Sequence, residues 1–333
     1  MRNPKSNLPL IRLSSVNPFL LELARRNVDG RELLRRFGLP DVVPASSDLF
    51  ASAVTVYEVV EECAIVADDP HLGFKVGRNI DFAEWEPIAR ALTDAETVGD
   101  LLQKFVVNSL DHSSATEFFV RTEGERTTFG FTRVVIPDFR PAQIDAFYLG
   151  LFAKLLMQAT GPRWEHTDVL AKVAFLGAIP PLPGLPRLAQ GDNTGMRISF
   201  PTAWQFSPLR KSAFATAVAP VVKEQVPETI VESVRAALRP HMHEANLTVD
   251  KAANICGFEK RSLARKLRAE GTTIIKEISS VRFEWAQDKL ATSGMRIAEI
   301  GEAVGFTDPT VFSRAFKNWS GRSPMDYRRN HKS

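Results

Sequence analysis

Cysteine is nearly absent: Cys63 and Cys256 are the only two in 333 residues, and both lie among apolar neighbours. Two such thiols supply neither a disulfide framework nor a zinc site, which fits a reducing cytoplasm. Glycine-rich phosphate loops are missing as well. No apolar run is long and charge-free enough for a bilayer. The most apolar tract, Ala142 to Gly161, carries Asp145 and Lys154 and reads as a core helix. The first residues are basic, but Pro9, Asn17 and Pro18 interrupt the apolar runs and Arg25-Arg26 follow them, which argues against a signal peptide.

Catalytic constellations are equally scarce. Asp111-His112-Ser113 has the composition of a triad, yet adjacent residues do not converge on one point. His241 and His243 flank Met242 without a third metal ligand nearby, and both read as exposed linker residues. Neither an enzyme, a metal nor a cofactor is expected. Net charge is only +3, but it is unevenly spread. From Pro227 onward 18 basic residues face 13 acidic ones, giving +5, while the rest of the chain carries −2. A basic C-terminal third on a slightly acidic body suggests one module for a polyanion.

What the chain does have is a repeated pattern in that basic third. Residues 247–271 read LTVDKAANICGFEKRSLARKLRAEG, and residues 296–321 read RIAEIGEAVGFTDPTVFSRAFKNWSG. Each copy has a short helical run, a Gly-Phe corner (Gly257-Phe258, Gly305-Phe306) and a second helical run with a basic face. That is the sequence form of a helix-turn-helix. Arg261 and Arg265 share a face opposite Leu263 and Leu267. Phe312, Phe316 and Trp319 form an i, i+4, i+7 stripe opposite Thr310, Arg314 and Lys317. Asp308-Pro309 opens the second helix well, whereas Glu259 is a poorer cap for the first. Between the copies, residues 273–292 read as one helix of about 30 Å, with Ile274, Ile278, Val281 and Trp285 apolar. Successive major-groove faces lie about 34 Å apart, so two reading helices would sit about one turn of duplex from each other.

Residues 281–329 resemble the signature of the AraC/XylS family of bacterial transcription regulators. The resemblance rests on Ile297-Ala298-Glu299-Ile300, Gly305-Phe306, Phe312-Ser313-Arg314-Ala315-Phe316-Lys317, Gly321, Ser323-Pro324 and Tyr327-Arg328. Arg261-Ser262-Leu263, Arg265, Leu267 and Ala269-Glu270-Gly271-Thr272 resemble a subgroup with a helix-rich effector domain. One departure is Gly301, where the family usually has Ala; a helix-interior glycine costs about 1 kcal/mol. The resemblance implies sequence-specific binding of double-stranded DNA, with Arg261, Ser262, Arg265, Thr310, Val311 and Arg314 presented to the groove. Arginine can take guanine O6 and N7 together, and Thr or Val can meet a thymine methyl. Lys260, Lys266, Lys317 and Arg322 are expected at phosphates. The resemblance further implies a small-molecule effector, activation by contact with RNA polymerase and a cytoplasmic location away from membranes, and it is compatible with a homodimer. The alternative is a ligand- or partner-binding protein whose helix-turn-helix module mediates protein contacts.

The expected organisation is an effector-binding and dimerisation domain over residues 1–208, a linker over 209–226 and a DNA-binding domain over 227–333. The first domain reads as α+β and the second as all-α with two helix-turn-helix motifs. Helices are expected at 18–27, 31–37, 49–67, 72–76, 86–92, 97–110 and 142–159, and strands at 115–122, 127–135, 169–176 and 196–200. The first two strands flank Glu123-Gly124-Glu125-Arg126 and read as a hairpin, and the four together make a small antiparallel sheet with helices on at least one face. Pro180 to Pro186 is a loop, and Glu228 to Leu238 is the first helix of the DNA-binding unit. Phe118, Phe129, Phe131, Tyr148, Phe152 and Phe175 could line an apolar effector pocket, or could be plain core. A carboxylate ligand would need an inward cation such as Arg121, Arg133 or Lys154.

Overall fold

The computed structural model describes residues 8–43, 49–82, 85–209 and 226–331; most of the expected linker, residues 210–225, lies outside them. The chain enters through a three-residue strand, β1 (Leu10–Arg12), followed by α1 (Asn17–Arg25) and α2 (Gly30–Arg36). A second short strand, β2 (Phe50–Ser52), pairs antiparallel with β1, with Leu10 opposite Ser52 and Arg12 opposite Phe50. The helix expected from residue 49 therefore begins only at α3 (Ala53–Val66). Ser52 stops it: its hydroxyl accepts the Thr55 N–H at 3.2 Å as an N-cap, which fixes Ser52 itself in an extended conformation.

Next come α4 (Leu72–Asn79), α5 (Glu86–Thr93) and α6 (Val98–Ser109). α4 is longer than expected because its glycines act as contacts and not as breakers. A Cβ on Gly73 or Gly77 would lie 2.2 or 2.0 Å from the carbonyl oxygens of Gln143 and Phe147. Those carbonyls belong to α7 (Ala142–Thr160), so the two helices touch backbone to backbone.

β3 (Thr116–Glu123) and β4 (Arg126–Arg133) form the expected hairpin, turning at Gly124 with φ +57°. They join β5 (Leu170–Val173), β6 (Arg187–Gln190) and β7 (Arg197–Pro201) in one sheet of order β3-β4-β7-β5-β6. The sheet is mixed, not purely antiparallel, since β6 lies parallel to β5. A parallel neighbour needs a long crossover, and the proline-rich loop supplies it. β6 is short, sits at the edge and has no buried residue, so no alternation betrays it.

The C-terminal part is all helical: α8 (Ile230–Leu238), α9 (Val249–Ile255), α10 (Lys260–Ala269), α11 (Ile274–Thr292), α12 (Ile297–Ala303), α13 (Pro309–Ser320) and α14 (Pro324–His331). Thr229 and Glu232 close a capping box at the start of α8. Two apolar cores divide along α11. Its first half, with Ile274, Ile278 and Val281, packs with α8, α9 and α10. Its second half turns Ala286 and Leu290 inward among Ile300, Phe312 and Phe316, leaving Trp285 half-buried beside them.

The first of these cores is completed from far away in sequence. Leu8, Leu10 and Phe50 are buried in it, while Ile11 and Ala51 are buried in the core of the N-terminal domain. Alternate residues of a strand point to opposite faces. The β1–β2 ribbon is thus shared, one face to each domain.

Candidate nucleic-acid interface and effector cavity

Each of the two C-terminal helix pairs has a buried back and a cationic front. On α10, Leu263 and Leu267 are wholly buried while Arg261 and Arg265 are exposed. Arg268, seven residues after Arg261, is exposed on the same face; the sequence reading passed over it, although the i+7 spacing marks it. On α13, Phe312 and Phe316 are wholly buried, and Thr310, Val311, Arg314 and Lys317 are exposed. The Asp308 carboxylate accepts the Thr310 N–H at 2.6 Å, and that bond holds its pKa below the usual carboxylate range. Glu259 makes no side-chain cap on α10.

The remaining cations differ in setting. Lys260 pairs with Asp250 at 3.0 Å, a surface contact of small energetic weight. Arg322 is exposed just past α13. Lys266 is half-buried, lies over the Phe258 ring at 5.6 Å and lines a crevice of about 550 Å³ against Pro9, Val54 and Glu117 of the N-terminal domain. It faces that domain and stands apart from Arg261 and Arg265.

The junction between the helix pairs is tight. Arg282 of α11 donates to the carbonyl oxygens of Glu244 (2.6 Å) and Met242 (3.3 Å), and its guanidinium lies 5.5 Å from the Phe306 ring. A Cβ on Gly305, whose φ is +81°, would lie 2.8 Å from the Glu244 carbonyl oxygen. His241 is buried, not exposed as its linker position suggested, because its Nδ1 meets the Glu244 carboxylate at 3.1 Å. His243 is exposed. Burial alone would raise the Glu244 pKa, but His241 and Lys251 outweigh it and hold it at about 2. Gly301 also has a packing role. A Cβ there would come within 3.0 Å of the buried Phe312 ring, so glycine makes room for the aromatic where α12 crosses α13.

In the N-terminal domain, five of the six expected pocket aromatics form one cluster. Phe118 contacts Phe129, Phe131 and Tyr148 at ring distances of 6.0, 5.3 and 5.2 Å, and Phe152 lies 4.2 Å from Phe129. Phe118 and Tyr148 line a narrow cavity of about 40 Å³; Phe129, Phe131 and Phe152 are packed behind it as core. Phe175 is not part of it. It is 40% exposed, past the end of β5, with Arg140 over its ring at 5.5 Å.

None of the three expected inward cations reaches this cavity. Arg133 is buried in an ion pair with Asp145 and donates to the Asn193 carbonyl at 3.0 Å. Lys154 donates to the Ile80 carbonyl at 2.7 Å, and Arg121 lies over Phe119. The would-be triad is dispersed into separate contacts: Asp111 meets Arg90, His112 pairs with Glu86, and Ser113 donates to Thr116. Burial works to raise the Glu86 pKa, yet His112 and Arg90 together pull it below the usual value, so Glu86 stays ionised. Among the described residues no group of three His, Cys, Asp or Glu could hold a metal ion. Both cysteines are buried, which pushes each thiol up to about 12.

Two family models match the chain. One, described as a helix-turn-helix domain, covers residues 252–330; the other, the N-terminal arabinose-binding domain of the AraC transcription regulator, covers residues 28–174. The chain belongs to the AraC family of transcription regulators. Curated relatives agree. This AraC-family chain is 33% identical over 98 residues to the transcriptional activator NphR of Rhodococcus sp, a match spanning 29% of each protein. It is 22% identical over 330 residues to the HTH-type transcriptional regulator VirS of Mycobacterium tuberculosis, spanning 96% of each. Among solved structures, the regulator CdpR from Pseudomonas aeruginosa matches at 16% identity over 95% of this chain and 98% of that one, with a TM-score of 0.36. The C-terminal domain of AraT from Geobacillus stearothermophilus matches at 31% identity over 31% of this chain and 86% of that one, with a TM-score of 0.29. Among the described residues no helix is long and apolar enough to cross a membrane.

Proposed function

We propose that this AraC-family chain is a cytoplasmic transcription activator that reads double-stranded DNA with two tandem helix-turn-helix units, α9–α10 and α12–α13. The observation that carries this is the matched pair of helices, α10 and α13, each with leucines or phenylalanines wholly buried behind an exposed cationic face. α11 joins them; at about 1.5 Å per residue it is roughly 28 Å long, close to the repeat of the major groove. Arg261, Ser262 and Arg265 read one groove segment, and Thr310, Val311 and Arg314 the next. Lys260, Arg268, Lys317 and Arg322 hold phosphates. Lys266 is left out of this set, since it lines the crevice toward the N-terminal domain. Residues 1–208 act as the effector and dimerisation domain and 227–333 as the DNA-binding domain, with activation through RNA polymerase.

Control by a small molecule in the N-terminal domain is supported by the ribbon. Ile11 lines the aromatic cavity, while the residue before it, Leu10, is buried in the core beneath α9 and α10. A ligand that enlarges the cavity must move Ile11, and the ribbon carries that movement to the DNA-binding domain. The ligand then shifts the population competent to bind or activate.

Footprinting on the chain's own promoter region tests the groove assignment. Arg265→Ala should lose about 1–3 kcal/mol of specific binding and relax one base position, whereas Lys317→Ala should weaken all sequences alike. Binding should also fall steeply with salt, with a slope that counts several phosphates. An unchanged Arg265→Ala footprint, or a flat salt response, would favour a module that contacts protein instead.

A further inference from the structure

The aromatic cavity has a composition that selects among ligand classes. Among the described residues no Lys, Arg, Asp or Glu lines it. Its walls include Phe105, Phe147, Trp85 and Tyr148, with Trp85 edge-on to Phe147 at 5.3 Å. A carboxylate or phosphate entering such a space would lose its hydration without a compensating cation. The Arg133 guanidinium, which acts on Tyr57 from outside the lining, has its charge matched by Asp145 and also donates to the Asn193 carbonyl. His112 does touch the cavity, but its Nε2 is taken by Glu86, so the pair offers no net positive charge. A polyol fares no better, because it needs a partner for each hydroxyl and Ser109, His112, Ser113 and Thr116 on the wall are already engaged.

Several polar side chains line the cavity, but Ser109 donates to the Val106 carbonyl, Ser113 to Thr116, and His112 pairs with Glu86. The Tyr57 side chain lines the cavity, is 1% exposed, and its hydroxyl has no hydrogen-bond partner of good geometry in the protein. Thr116 and Arg133 lie within hydrogen-bonding reach of that hydroxyl, but neither is aligned well enough to satisfy it. Leaving a buried hydroxyl unsatisfied is costly, and native proteins seldom do so without a reason.

We propose that this cavity takes an uncharged, ring-bearing small molecule with a single hydroxyl-type group, a simple phenol being the type, and that Tyr57 is the residue that recognises the hydroxyl. The inference rests on the reading of the N-terminal domain as an effector domain. A phenol matches on both counts: its ring packs among aromatic faces and edges, and, like a tyrosine side chain, it stays protonated at neutral pH. The cavity of about 40 Å³ holds no more than a few water-sized probes, so entry of a ring requires it to widen. Ile11 and Ser113, joined by an isolated β-bridge, lie on its wall. Widening there displaces the strand that continues into the C-terminal core.

The test uses the full chain and four probes of similar size: p-cresol, toluene, 4-methylbenzoate and L-arabinose. Calorimetry should find saturable binding of p-cresol, weaker binding of toluene, and none of 4-methylbenzoate or L-arabinose. Tyr57→Phe should weaken p-cresol about tenfold, leave toluene unchanged, and melt no lower than the parent without ligand. Thr116→Val, which keeps Tyr57, should leave the p-cresol preference over toluene intact. The assignment is overturned if p-cresol does not bind, if 4-methylbenzoate or L-arabinose binds more tightly, or if Tyr57→Phe weakens p-cresol and toluene alike. Footprints taken with each probe separate this from the effector reading. Binding of p-cresol without any change in DNA protection would sink effector control and keep the site, whereas a response to 4-methylbenzoate would do the reverse.

Discussion

Phe50→Ala is the substitution that reaches furthest through the molecule. Phe50 belongs by sequence to the N-terminal domain, but its ring is 2% exposed inside the core formed by α8, α9 and α10, with the Arg12 guanidinium 4.8 Å from its centre. A buried phenylalanine removes about 150–250 Å² from water. At about 25 cal/mol per Å² that is roughly 4–6 kcal/mol, and measured Phe→Ala changes in cores cost about 3–5 kcal/mol. Most of that loss should fall on the C-terminal domain, some two hundred residues downstream. A domain of that size has a total stability of only about 5–15 kcal/mol, so its unfolding midpoint should drop by on the order of 10 °C or more. Thermal unfolding followed by tryptophan emission, with Trp85, Trp164 and Trp204 replaced by Phe in parent and variant so that only Trp285 and Trp319 of the C-terminal part report, reads the effect. Footprint strength at 37 °C should fall with it. Phe206→Ala, at a ring 75% exposed, is the control and should melt as the parent does. If Phe50→Ala unfolds like the control, or lowers only the N-terminal transition, the shared ribbon is not what joins the domains.

Glu61→Gln should be stabilising, but only above about pH 4.5, with most of the gain reached by pH 7. Burial first, then the nearby Asp145, push the Glu61 carboxyl up to about 7 against the Gln143 N–H that favours its charge. An acid whose folded value lies above its unfolded one costs nothing below about pH 4.5 and progressively more as pH rises to 7. The full penalty is about 3 kcal/mol, so denaturant midpoints of parent and variant should agree at pH 4.5 and separate by pH 8; equal midpoints at both would refute the buried-carboxylate account. Gly305→Ala and Gly321→Ala form a matched pair. Both have a positive φ, +81° and +75°, but only the first sets its new Cβ against a backbone carbonyl. Gly321→Ala should cost about 1–2 kcal/mol and Gly305→Ala distinctly more, with DNA binding weakened as well; equal costs would mean the contact between Glu244 and the second turn is slack. Thr229→Ala, at the capping box of α8, should cost about 1 kcal/mol of C-terminal stability, read as a lower denaturant midpoint, and an unchanged midpoint would show that α8 is held by packing alone.

The features legible in the sequence are those with a local period. Arg261, Arg265 and the leucines between them follow helical spacing, and so do Phe312, Phe316 and the cations of α13, so both faces could be assigned before any coordinates. The hairpin at Gly124 and the long α7 were equally plain. What escaped notice depends on partners distant in sequence. β1 and β2 are three residues each and pair across some forty positions, too short for alternation to register. β6 has no buried residue to mark it. Phe175 seemed inward because Ala171 and Val173 are; the strand stops at Val173, and the turn that follows swings the ring to the surface. His241 looked like linker because its partner, Glu244, is also linker by sequence. Gly301 looked like a weakness in α12, since nothing in one helix reveals the ring pressed against it from another.

The arrangement of the ribbon bears on how this protein can be divided in the laboratory. Cutting between the two domains leaves a C-terminal fragment with a hole where Leu8, Leu10 and Phe50 sat, and an N-terminal fragment with those same three side chains laid bare. Both pieces should be sticky and poorly behaved. A serviceable reading head would have to carry a graft of the two short strands, or polar replacements at the uncovered positions, before its affinity for an operator meant anything.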